Sequence, residues 1–321
     1  MLPESNNELL KTSTVLNKKN FIEKSFEYFL KINGIIAGAL ILFIFLFMIN
    51  EAVQVLNYIT PENLLYIKLD NKSAGDIFSF DWSPTSNPPK YSILPLLLGS
   101  FLTAIPACLI SAFLGLILGV YLSEIASAFS RNLIKPVIEV FTGIPTVVVG
   151  FITLVVAANF IQDVFGTVSR LNALLAAFGL STIVIPIIAS LTDDALRSIP
   201  EDIRMASYAL GASKWQTIST VLIPTAINGI SASVLIGFSR AIGETMIVLM
   251  VSGNAAVISV DLFGSVRTIS ATIAAELGQV SINSQHYYAL FFIGFLLFVF
   301  TLLINLLAEL MLDKMKRKVN I

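Results

Sequence analysis

Apolar residues in this chain come in long unbroken runs with no alternation between two faces. Uncharged stretches occupy 32–50, 91–123, 140–162, 171–192, 215–239 and 277–308, and the fifth continues past Arg240 and Glu244 to Val260. A helix rises 1.5 Å per residue, so about 20 apolar residues cross a bilayer. The runs therefore predict six membrane-spanning helices. They are rich in Leu, Ile, Val and Phe and lack the period-two pattern of a membrane barrel. The expected fold class is an all-α integral membrane protein.

Composition sharpens this picture. Of 321 residues, 56% are hydrophobic and only 13% charged, where a soluble domain carries about 25% charged residues. Positive charge then orients the spans, because cytoplasmic segments retain Lys and Arg. With the N-terminus inside, fourteen basic residues fall on the cytoplasmic side and five (Lys68, Lys72, Lys90, Arg170 and Arg267) outside. Both termini are expected in the cytoplasm of a multi-pass protein of the cell (inner or plasma) membrane. About thirty polar residues precede the first span, so it reads as a retained anchor and not as a cleaved signal. The lone Cys108 allows no intrachain disulfide and no cysteine metal motif, and the single His286 reads as an interfacial polar residue. No metal, cofactor or nucleic-acid partner is expected.

These boundaries give an organisation of 1–31 as a cytoplasmic tail, 32–55 as the first helix, 56–90 as an outer loop, 91–312 as a five-helix core, and 313–321 as a basic tail. The outer loop, with "FDWSPTSNPPKYS", reads either as a lid on the helix ends or as a docking surface. Pro95, Pro106 and Pro145 free backbone groups that neighbouring helices or water must satisfy. No internal repeat is evident, which weakens a secondary-transporter reading.

The cytoplasmic segment 193–224, "DDALRSIPEDIRMASYALGASKWQTISTVLIP", is too long and too amphipathic for a turn. Pro200 followed by Glu201 and Asp202 suits a helix start, and Gly211 suits its end. A second short helix is expected from Ser213 through Trp215 and Ile218 into the fifth span. The result is a helical knob exposed to the cytoplasm.

This segment resembles the EAA loop of permease subunits of ATP-binding-cassette importers. That pattern reads Glu-Ala-Ala, three residues, Gly, nine residues, Ile-x-Leu-Pro. Ala206, Gly211 and Pro224 match it, with Val221 and Ile223 in the aliphatic positions; Met205 replaces the glutamate and Ser207 the second alanine. "SRAIGETMIVLMVSGN", "GIPTVVVGF", "LPLLLGSFLTA" and "GVYLSE" are similar to the C-type chains of the phosphate-specific group. The resemblance implies a type I importer permease core whose loop, through Ala206, Ser207, Gly211, Ala212, Trp215 and Pro224, docks helix-in-groove on an ATPase. It also implies a second homologous permease chain, two ATPase subunits and an extracytoplasmic phosphate-binding protein. The chain carries no G-x-x-x-x-G-K-[ST] loop, so ATP hydrolysis is expected of a separate subunit and this chain is not itself an enzyme.

Arg240 and Glu244 are the anomaly of the fifth run. A charged side chain near the bilayer centre costs roughly 2.5 to 3.5 kcal/mol on insertion scales, so something must offset it. Arg240 lies sixteen residues after Pro224, about 24 Å along a helix, beyond the midplane. At four residues' spacing the two side chains share a helix face and can pair, which by itself would make them a packing device. The functional reading gives Arg240 a passing phosphate, with Glu244 holding the guanidinium between passages and Ser239 and Thr245 as hydroxyl partners. Alternatives are a permease for another oxyanion or a phosphonate, an ion-coupled transporter, or an anion channel.

Overall fold

The computed structural model describes residues 4–65, 67–71 and 75–319. The chain forms two compact units, Met1–Glu51 and Ala52–Ile321. In the first, helix α1 (Glu4–Gln54) begins well before the apolar run, so the polar segment read as a tail is helical from Glu4 onward. Lys31 pairs with Glu27 one turn away at 2.6 Å.

The second unit opens with a short α2 (Pro61–Leu65) and two hairpins. The first pairs β1 (Ile67–Asn71) with β2 (Gly75–Ser79), and the second pairs β3 (Trp82–Ser83) with β4 (Lys90–Tyr91). These small sheets and an isolated bridge between Gly253 and Val266 are the β structure among the described residues. Trp82 and Tyr91 are buried in a cluster with Leu96, Ile269, Tyr288 and Leu290, so the second hairpin is a packed lid.

The helical body follows: α3 (Leu94–Val120), α4 (Ala128–Thr142), α5 (Thr146–Ile152), α6 (Ala158–Phe165), α7 (Ala173–Arg197), α8 (Glu201–Ala209), α9 (Lys214–Gln216), α10 (Ile223–Gly243), α11 (Met246–Val251), α12 (Ile269–Glu276) and α13 (Gln285–Val319). Among the described residues three segments are π-helical: Thr153–Ala157 and Thr217–Leu222 interrupt their spans without ending them, and Tyr121–Ile125 closes the second span. Among the described residues six helices are long and apolar enough to cross a membrane, namely Phe26–Asn57, Leu94–Ile125, Thr146–Phe165, Ala173–Arg197, Lys214–Gly243 and Gln285–Arg317.

Two expected boundaries move. The third span starts at Thr146, not at 140, because α4 ends at Thr142 and Pro145 disfavours helical geometry at Ile144. The last span starts at Gln285, since a 3-10 turn at Leu277–Gln279 and a left-handed Asn283 precede it.

Helix α7 is the centre of the body. Leu175, Leu180, Val184 and Ile188 are buried against Ala104 and Ala107 of α3, Ile242 of α10, and Ile247 and Val248 of α11. Gly115 and Gly119, four residues apart, let α3 approach this closely: a Cβ on Gly119 would lie 2.6 Å from the Thr192 Cβ and 2.8 Å from the Ala189 carbonyl oxygen. Small residues at that spacing are how membrane helices gain contact where apolar burial alone gives no driving force.

Candidate functional site

The fifth hydrophobic run is not one helix to Val260. α10 stops at Gly243, Glu244 is extended (φ −70°, ψ 135°), and α11 restarts at Met246. The expected pair nevertheless forms across the break, with Arg240 Nη1 2.7 Å from Glu244 Oε2. The carboxylate's other oxygen accepts the Met246 N–H at 3.2 Å, and the Glu244 carbonyl accepts from Ser270 Oγ at 2.7 Å. The break is therefore satisfied by side chains, as a broken membrane helix requires.

Burial differs sharply within the pair. Glu244 is 4% exposed, while 44% of the Arg240 side chain is open to the surface of this chain. A guanidinium carries five N–H donors in a planar fork, so holding one edge against Glu244 leaves donors for an incoming anion. Ser239, next to Arg240 in sequence, is buried, and Thr245 is half-buried at the break with its hydroxyl 3.5 Å from the Gly243 carbonyl oxygen.

Sequence reasoning missed Ser100 and Ser270. Ser100 Oγ of α3 accepts the Ile269 N–H at 3.0 Å, and Ser270 fixes Glu244, so α12 bridges the far ends of α3 and α10. These partners are separated by 169 and 26 residues, and no local pattern marks them.

The knob lies at the other end of α10. α8 starts after Pro200 and is followed by Gly211 at φ +86°, a left-handed turn that suits glycine. Ser213 and Gln216 then form a reciprocal capping box that restarts the chain into α9. Ala206, Gly211, Trp215 and Pro224 are exposed, Ala212 is half-buried, and Ser207 is buried with its hydroxyl 2.9 Å from that of Thr217. Leu210 is 91% and Trp215 67% exposed, an apolar surface on a polar knob.

Two charge clusters had no signal in the sequence. Asp193 and Asp194 belong to the last turn of α7, not to the connecting loop. Asp193 is fully buried and takes Arg131 at 2.9 Å, Lys135 at 2.8 Å and Arg197 at 3.0 Å, while Lys135 also reaches Asp194 at 2.6 Å. This sews α4 to α7. Burial works against the Lys135 charge, but its hydrogen bonds to Asp193 and Asp194 raise its pKa overall.

At the opposite end Glu276 accepts from Arg267 Nη1 (2.7 Å) and Trp82 Nε1 (3.0 Å) and lies 2.9 Å from His286 Nε2. Burial alone would raise its pKa, yet His286, Trp82 and Arg267 together lower it. His286 is thus a partner of Glu276, and its ring joins the lid hairpin to the start of α13.

Residues 111–320 match the family model described as the binding-protein-dependent transport system inner membrane component. A probable ABC transporter permease protein of Bacillus subtilis, YqgH, is 37% identical over 238 residues, covering 74% of this chain and 77% of that protein. The phosphate transport system permease protein PstC of Xylella fastidiosa is 31% identical over 260 residues (75% and 79%), and that of Mesorhizobium japonicum 33% over 256 residues (73% and 78%). Among solved structures, the inward-facing MetNI methionine ABC transporter shares the fold, with a TM-score of 0.51 at 22% identity over 72% of this chain and 99% of that one.

Proposed function

Because the chain belongs to the family of binding-protein-dependent transport system inner membrane components, we propose that it forms half of the transmembrane path of an ATP-driven importer of inorganic phosphate. The observation that carries this reading is the half-open Arg240, held at one edge by a buried carboxylate. An arginine side chain 44% exposed in a membrane-spanning helix is costly against hydrocarbon, so its open edge is read as facing water or another chain. The relatives named as phosphate permeases supply the substrate class.

Phosphate carries one or two negative charges near neutrality, and an apolar path would exclude it. Arg240 offers it a bidentate contact. Glu244 keeps the empty site close to neutral, so the anion meets a competitor for the guanidinium and leaves again. Ser239 and Thr245 are hydroxyls beside that exchange.

At the cytoplasmic end the reading assigns the knob to an ATPase subunit, with Leu210 and Trp215 as its apolar anchors. A second permease chain closes the path, and an external binding protein delivers the anion. Both termini lie in the cytoplasm, in keeping with the distribution of Lys and Arg.

The test is ATP-dependent uptake of labelled phosphate into vesicles carrying the reconstituted complex, comparing the parent with Arg240→Gln. Loss of uptake with assembly and ATPase binding intact supports the reading. Parental uptake by the variant makes the pair a packing device. Competition by sulfate or a phosphonate at equal concentration shifts the substrate to that anion.

A further inference from the structure

The knob is tied to the membrane helices by two buried polar contacts, and each ends in a π-helical segment. Arg204 of α8 donates from Nη2 to Glu124 Oε1 at 3.0 Å, and Glu124 sits in the segment Tyr121–Ile125 that closes α3. The same guanidinium donates to the carbonyls of Ile199 at 2.6 Å and Leu196 at 2.8 Å, so it also grips the end of α7. Both side chains of the pair are largely withdrawn from solvent, at 11% and 7% exposure. Three residues on, Ser207 meets Thr217 in the segment Thr217–Leu222, which leads directly into α10.

A π segment is a wider, underwound turn with i→i+5 bonding, and such segments gather at functional positions. A buried carboxylate–guanidinium contact is costly to break, because one charge would be left uncompensated. These contacts link α8 to α3 and α10. Those two helices converge again at their far ends on α12, through Ser100–Ile269 and Glu244–Ser270, beside Arg240.

We propose that Glu124 and Arg204 are a positioning pair that carries movement of the cytoplasmic knob into α3, with Ser207–Thr217 carrying it into α10, so that the far ends of both helices shift together at the Arg240–Glu244 site. The proposal rests on the importer reading above and adds to it the residues through which the knob acts on the path. Neither Glu124 nor Arg204 touches the anion. Each acts through helices that end beside it.

The test uses the full complex in proteoliposomes and reads the number of ATP molecules hydrolysed per phosphate imported. Glu124→Gln keeps the shape and loses the charge, and it is expected to raise that ratio about tenfold while the ATPase still copurifies and hydrolyses ATP at nearly the parental rate. Arg204→Gln is expected to do the same, and the double variant to add nothing to either single change, as for two halves of one contact. Glu124→Asp, which restores the charge, is expected to recover most of the coupling. A parental ratio in Glu124→Gln overturns the proposal. So does a proportional fall of uptake and hydrolysis, or loss of the ATPase from the purified complex, because either places the pair in docking and not in transmission. Absence of ATP-dependent anion uptake by the parent itself is a separate failure, that of the importer reading.

Discussion

Glu244 meets Arg240 at 2.7 Å although the helix that carries the arginine has already ended between them at Gly243. The contact is thus made across a break, where the Met246 N–H holds the carboxylate and Ser270 holds the Glu244 backbone carbonyl in place of helical geometry. Pinning makes Glu244 a fixed competitor for a guanidinium that stays half open.

If the guanidinium works as a fork, Arg240→Lys is expected to retain the charge and still lose about tenfold in uptake, since an ammonium gives no planar bidentate contact. Glu244→Gln keeps an acceptor for Met246 and removes the competing charge. It is expected to lower the phosphate concentration for half-maximal uptake several-fold and to slow turnover as well. Steady-state uptake curves for both variants check this, and equal curves for Lys and Arg at position 240 would sink the idea of a fork.

The lid is expected to respond to acid through Glu276. Its folded pKa is lowered, so its contribution is complete above the ordinary glutamate value near pH 4 and is lost as pH falls further, through the folded value. Fluorescence of Trp82 in a Trp215→Phe background should stay flat from neutrality to about pH 4 and change below it. Glu276→Gln should remove that acid step.

Helix α3 tolerates no side chain at Gly119, where a Cβ would press on Thr192 and Ala189. Gly119→Ala is expected to cost about 1–3 kcal/mol and lower the Tm of the purified protein. Gly278→Ala, whose Cβ meets nothing within 4 Å, is the control and should leave Tm in place.

Leu210 and Trp215 are the anchors of the knob if it enters a groove on an ATPase. Replacing both by Ala should weaken that association by about 2 kcal/mol, ~30-fold, read as the ATPase concentration needed for half-maximal binding to the detergent-solubilised permease. Unchanged binding would place the docking surface elsewhere on the cytoplasmic side.

Much of this molecule can be read from its sequence because the membrane writes in long words. Six runs of apolar residues mark six helices, and a charge inside one of them marks the pair at 240 and 244. Pro200 and Gly211 bracket the knob helix because each has a backbone preference of its own. What stays hidden is whatever depends on distant partners. Glycine is frequent in membrane helices, so Gly243 does not announce a break that Ser270 makes tenable from 26 residues away. Asp193 reads as a loop acid until Arg131 and Lys135, about sixty residues earlier, close on it. The Glu124–Arg204 contact spans 80 residues and lies in stretches whose local pattern is fully explained by other roles.

The half-open arginine has a further consequence for a copy of this chain that finds no companion. On the importer reading such an orphan would leave Arg240 open within the membrane and Leu210 and Trp215 open to water. Two different partners would then cover the two mismatches, a second permease chain the first and an ATPase the second. The same residues that serve the finished machine would thereby mark its unfinished parts.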